Sequence, residues 1–186
     1  MKKTADEETK DGRVSKERYY INIAKEVSER STCLSTRYGA VIVKDDQIVS
    51  TGYNGAPRKT LSCLDRGNCL RRQLNIPSGQ QYELCRSVHA EQNAIINAAR
   101  AGVSLLGGNI YMYGTKVWEN KPELIDTIPC FICKKMIINA GLKKIISVTK
   151  ENKISIIDVD AIIEDWQKND LISSVTSMGS VKYDKK

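Results

Sequence analysis

Two short clusters constrain this chain more than any other feature: His89-Ala90-Glu91 and, well separated from it, Pro129-Cys130-Phe131-Ile132-Cys133. Each sits where a helix should begin. Two residues between cysteines, at the first turn of a helix, let both sulfurs reach one metal ion, and Pro129 fixes φ where an amide donor is spare. The unpaired N–H groups of a helix start also favour thiolate over thiol. If His89 supplies a third ligand, the fold must bring two helix starts, remote in sequence, to one point. Three protein ligands leave the fourth tetrahedral position open, which a catalytic zinc needs and a structural zinc does not. Glu91, two residues past His89, then lies beside the metal without binding it, placed to act as base and later as acid. A lone histidine or a lone C-x-x-C is commonly a satisfied polar residue, a structural site or a redox pair. Their conjunction with Glu91 and Pro129 argues for metal chemistry instead.

The rest of the chain supplies elements to hold these clusters. Tyr20, Ile23, Ala24 and Val27 recur at helical spacing, predicting a helix from Lys16 to about Ser31. Gly39–Lys44 and Gln47–Gly52 read as two strands with Asp45-Asp46 as their turn. Residues 54–86 form a long irregular stretch with three cysteines, a length that is uncommon unless functional or tied down. A second helix should run from near His89 to Ala101, followed by a strand over Asn109–Tyr113. A third helix starts around Cys130 and ends at Asn139–Gly141, a strand covers Lys144–Thr149, and Asp158 caps a last helix through Trp166. Strands alternating with helices after an opening hairpin imply a mixed sheet covered by helices, an α/β sandwich.

A length of 186 residues suits one domain. We place that domain at 15–179, between polar tails at 1–14 and 180–186. The start of the chain is polar and charged, and no apolar run approaches the length of a membrane span, so the expected location is the cytoplasm, with no membrane partner. Six cysteines in that compartment are more consistent with metal ligands or buried thiols than with disulfides. The net charge of +7 suits anionic ligands without choosing among them. The lysines at 134, 135, 143, 144, 150 and 153 read as a solvated face. They lack the interleaved aromatics of a single-strand binder, which argues against a nucleic-acid partner.

The H-x-E and P-C-x-x-C pattern marks zinc-dependent nucleobase deaminases. With it, Arg30-Ser-Thr-Cys33, Gly39-Ala-Val-Ile-Val43, Gly52-Tyr-Asn-Gly-Ala-Pro57, His89-Ala-Glu-Gln-Asn-Ala-Ile95 and Lys135-Met-Ile-Ile-Asn-Ala-Gly141 make the chain resemble the deoxycytidylate deaminase family, in the cytidine deaminase-like superfamily. The resemblance covers about Arg30 to Val148. It implies a three-layer α/β/α sandwich with a five-stranded mixed sheet and a catalytic Zn²⁺ on His89, Cys130 and Cys133. It implies that Glu91 transfers protons as deoxycytidylate (dCMP) becomes deoxyuridylate (dUMP) and ammonia, feeding thymidylate synthesis. It also implies a homo-oligomer, often a hexamer, with a dimer or tetramer as alternatives, and in some members activation by dCTP and inhibition by dTTP. Carried onto this chain, Asn54 contacts sugar and phosphate, or merely makes a turn with Gly55. Arg37 pairs with the phosphate, or is a surface arginine. The Ala90 N–H contacts the base.

Three departures lie near the expected pocket mouth. Ser35 stands where many relatives carry arginine. The Gly114–Thr127 connection is longer than usual and contains Trp118. An aromatic is missing at Ser147–Thr149. The remaining cysteines, Cys33, Cys63, Cys69 and Cys85, are ligands of a second, structural zinc, buried thiols, or disulfide partners. Two other functions stay open: a deaminase of a different nucleoside, nucleotide or RNA base, and a non-catalytic nucleotide sensor on the same scaffold.

Overall fold

Ser15 starts the first helix, its hydroxyl accepting the Arg18 N–H at 3.2 Å. The computed structural model describes residues 12–77, 79–118 and 122–169; of the expected tails at 1–14 and 180–186, residues 1–11 and 180–186 lie outside these residues. Helix α1 spans Lys16–Ser28 and buries Tyr20, Ile21 and Ala24 along one stripe. It ends three residues before the expected Ser31, because Arg30 and Ser31 bond back to Val27 and Ser28 in a tighter turn. Strands β1 (Thr36–Lys44) and β2 (Gln47–Tyr53) form the expected hairpin. Asp45 and Asp46 both take positive φ, 50° and 62°, as a two-residue turn matched to strand twist requires.

The irregular stretch carries two single-turn helices, α2 (Cys63–Arg66) and α3 (Leu70–Gln73), and a 3₁₀ turn at Tyr82–Leu84. Its two ends are pinned together where Gly55 and Val88 exchange backbone hydrogen bonds of 3.1 and 2.8 Å. Within it, Arg71 donates to the carbonyls of Pro77, Gln80 and Gln81, and Arg86 donates to Asn68. Arginine forks therefore tie down a segment too irregular to satisfy its own carbonyls.

The chain then forms α4 (Ala90–Ala101), β3 (Asn109–Lys116), β4 (Glu123–Leu124), α5 (Phe131–Asn139), β5 (Lys144–Val148), β6 (Ile154–Asp158) and α6 (Val159–Asn169). Strand order is β2-β1-β3-β5-β6, and only β3 and β5 pair in parallel; two-residue β4 folds back on β3. The expected five-stranded mixed sheet is thus the main path, with β4 as a short sixth member. β6 has no counterpart among the strands read from the sequence. It returns antiparallel beside β5 through a tight turn in which Asn152 takes φ 62°.

Strand alternation sorts the core into two layers. Ala40, Ile42, Ile110, Met112 and Ile145 face α4, α5 and α6, whereas Val41, Val43, Tyr111 and Ile146 face α1. This is the three-layer α/β/α sandwich. No helix among the described residues is long and apolar enough to cross a membrane.

Helix α4 is seated closely. Asn93 and Asn97 donate to the carbonyls of Tyr53 and Thr51, both at 2.8 Å, and the Ser50 hydroxyl donates to the Ala94 carbonyl at 2.6 Å. Gly52 makes the approach feasible: a Cβ there would lie 2.3 Å from the Ala94 nitrogen and 2.4 Å from the Ala90 oxygen.

Candidate active site

The two motif clusters meet at helix starts. His89 caps α4, its N–H donating to the Gln92 side chain at 2.9 Å, and Cys130 caps α5. His89 Nδ1 lies 3.4 Å from the sulfurs of both Cys130 and Cys133. Among the described residues, these three form the one group of potential metal ligands whose atoms all lie within 4.8 Å of one another. A tetrahedral ion with Zn–S of about 2.3 Å and Zn–N of about 2.0–2.1 Å has N···S edges of about 3.5 Å, so the donor set fits zinc through Nδ1. The Tyr82 ring packs edge-on against the imidazole, with centroids 4.9 Å apart, and fixes its plane.

Glu91 is 5% exposed and lies on the first turn of α4. Burial pushes its carboxyl above the ordinary glutamate range, against the opposing pull of a backbone hydrogen bond and His89. Burial alone would lower the imidazole, but the Cys130 sulfur and Glu91 outweigh it and raise His89. The Cys133 hydrogen bond, and with it His89, holds the Cys130 thiol well below its ordinary range.

These groups open into a cavity of about 440 Å³. Tyr38 lines it beside Glu91, and burial, with Glu91 nearby, raises its phenol above the usual range. Gly114 makes room for this ring, since a Cβ there would lie 2.5 Å from it. Ser35, Thr36, Arg71, Arg72, Tyr82 and Lys116 also line the cavity. Of these, Tyr38, Tyr82, Arg71, Arg72 and Lys116 were not among the residues singled out from the sequence. Only the paired arginines of the irregular stretch offered a signal there.

The remaining expectations divide. Asn54 lines the cavity and is 5% exposed, but most of its amide is already used. Its Oδ1 accepts from the Ser31 hydroxyl at 2.7 Å and the Tyr38 N–H at 2.8 Å, and its Nδ2 donates to the Thr36 carbonyl at 2.9 Å. One N–H is left for a ligand. Ala90 is the first residue of α4, where position leaves its N–H without an intrahelical acceptor.

Arg37 is not brought to the cavity. Strand alternation sends Thr36 and Tyr38 inward and Arg37 outward, where it donates to Glu29 at 2.7 Å. The phosphate role expected of it is withdrawn on that geometry.

Cys33, Cys63, Cys69 and Cys85 are free thiols, so the disulfide alternative is not realised. Cys33, Cys69 and Cys85 line the cavity, yet the four sulfurs do not converge as the His89 group does. The long connection after β3 is a hairpin: β4 pairs with Thr115 and Lys116, and Asp126 accepts the Lys150 N–H at 3.0 Å.

Residues 14–149 match the family described as the cytidine and deoxycytidylate deaminase zinc-binding region. A deoxycytidylate deaminase of Schizosaccharomyces pombe is 32% identical over 140 residues, covering 75% of this chain and 39% of that protein. The chain therefore spans well under half of that relative's length. A deoxycytidylate deaminase of Mycobacterium phage D29 is 31% identical over 133 residues, 69% of this chain and 90% of that protein. The crystal structure of dCMP deaminase from the cyanophage S-TIM5 in apo form matches with a TM-score of 0.51 and 27% identity, covering 72% of this chain and 82% of that one.

Proposed function

The chain belongs to the cytidine and deoxycytidylate deaminase family, and from that premise we propose that it hydrolyses the exocyclic amine of deoxycytidylate, releasing ammonia and deoxyuridylate for thymidylate synthesis. The observation that carries this reading is the meeting of His89, Cys130 and Cys133 beside buried Glu91, at the inner end of the cavity. Zinc held by these three ligands would supply the Lewis acidity that makes water reactive at neutral pH.

Glu91 accepts a proton as water adds to the ring carbon bearing the amine, and donates it to the neighbouring ring nitrogen. It then carries the second proton to the amine, which leaves as ammonia while the carbonyl forms. The buried carboxylate is held on a helix start, so it need not rearrange between these steps. The spare N–H of Asn54 serves the sugar and the Ala90 N–H serves the base.

Ammonia release from deoxycytidylate tests the reading. Glu91→Gln should lower turnover by about a hundred- to ten-thousand-fold while the protein keeps one zinc per chain, and Cys69→Ser should leave that single zinc in place. A Glu91→Gln protein as active as the parent, or a parent inert toward every cytosine nucleotide, would sink it. A homo-oligomer responding to dCTP and dTTP is supported by family likeness alone, and light scattering with and without those nucleotides checks it.

A further inference from the structure

Three cations reach the cavity, and they differ in what else engages them. Arg71 commits three of its five N–H groups to loop carbonyls, which hold it within the irregular stretch, and lies over the Tyr82 ring. Lys116 stands opposite Glu123 in the β3–β4 pair, so a carboxylate is its cross-strand neighbour. Arg72 is different. Its guanidinium lies 3.6 Å from the centroid of the Trp118 ring, and Nη2 donates to the Ser35 hydroxyl at 3.2 Å. Among the described residues it makes no ion pair.

A guanidinium stacked on indole keeps its plane fixed while the N–H groups along its edge stay available. Arg72 is exposed and Glu91 is buried, so the cavity runs from the carboxylate inside to this cation at the solvent. The stack also gives the lengthened connection after β3 a task, since that connection carries Trp118.

We infer that Arg72, clamped between Ser35 and the face of Trp118, binds the phosphate of the substrate and so sets the preference for a monophosphate over a free nucleoside. Trp118 is the positioning residue. The inference rests on reading the site as that of a nucleotide deaminase. Two N–H groups on one edge of Arg72 match two phosphate oxygens, a pairing that lysine cannot reproduce with the same geometry.

The zinc-loaded full chain is assayed with deoxycytidylate and with deoxycytidine. Arg72→Ala should cut the ratio of the two kcat/KM values by about ten- to a hundred-fold, through a higher KM for the phosphorylated substrate. Trp118→Ala should move the same KM in the same direction by less, and Trp118→Phe should restore it. Binding of deoxyuridylate against deoxyuridine, by calorimetry, reads the preference without turnover. If the parent deaminates nothing, the proposed reaction fails while this binding comparison still decides the role of Arg72. An Arg72→Ala protein that folds, holds zinc and keeps the parent's preference for the phosphorylated ligand overturns the inference, as does a parent with no such preference.

Discussion

Asp46 closes the β1–β2 turn and at the same time grips α1. Its carboxylate pairs with Lys16 and accepts the Tyr20 hydroxyl at 2.9 Å. The Lys16 hydrogen bond, then that from Tyr20, hold the Asp46 carboxyl below the ordinary aspartate range. Burial, then Asp46, pushes the Tyr20 phenol up to about 12. A depressed carboxyl stabilises the fold above its unfolded pKa of about 3.9 and loses that contribution as pH falls through the folded value. Asp46→Asn keeps a side chain that tolerates positive φ but removes the charge, so the parent should melt higher at pH 7 and the gap should close below about pH 4. A gap that does not narrow at all as pH falls below about 4 would assign the effect to the turn instead. The motif residues could be read from the sequence because their chemistry depends on local spacing: two cysteines on one helical turn, and a carboxylate two residues past a histidine. Arg37 and Tyr38 show the limit of such reading. Charge made Arg37 the candidate, but the face on which a strand residue lies depends on register, and register put its uncharged neighbour in the cavity.

At the scale of elements, α4 carries both His89 and Glu91, so its seating on β2 sets the geometry of the site. Gly52→Ala would push a methyl group into the α4 backbone, which cannot swing aside as a side chain can. The expected cost is about 1–3 kcal/mol, or roughly 3–10 °C in Tm, with weaker zinc retention because the His89 end of the helix shifts. A Gly52→Ala protein that melts with the parent would show that α4 can slide on the sheet. Helix starts were readable to within a residue or two, since caps are local. β6 was not. Its five residues follow a tight turn and run straight into α6, and the Asp158 that ends the strand also resembles a helix cap.

At the scale of the molecule, the metal site joins the starts of two helices that pack on one face of the sheet. Zinc that binds only the folded chain therefore stabilises by mass action, by about 4 kcal/mol when free zinc stands a thousandfold above Kd. Chelation should lower Tm by on the order of 10 °C; calorimetry with and without chelator checks this, and an unmoved Tm would mean that these residues hold no structural share of the ion. The sandwich class followed from the order of helices and strands. The path by which residues 55–88 leave the sheet and return did not, because no periodicity governs that segment.

That excursion leaves and rejoins the fold through the Gly55–Val88 pair, with Asn54 immediately before it and His89 immediately after. Its junctions are anchored, so the reactive centre depends on the segment's ends and on Tyr82, which packs on His89, more than on its length. The architecture thereby separates a sheet-and-helix frame, which fixes His89 and Glu91, from a loop that brings Arg72 to the rim of the cavity.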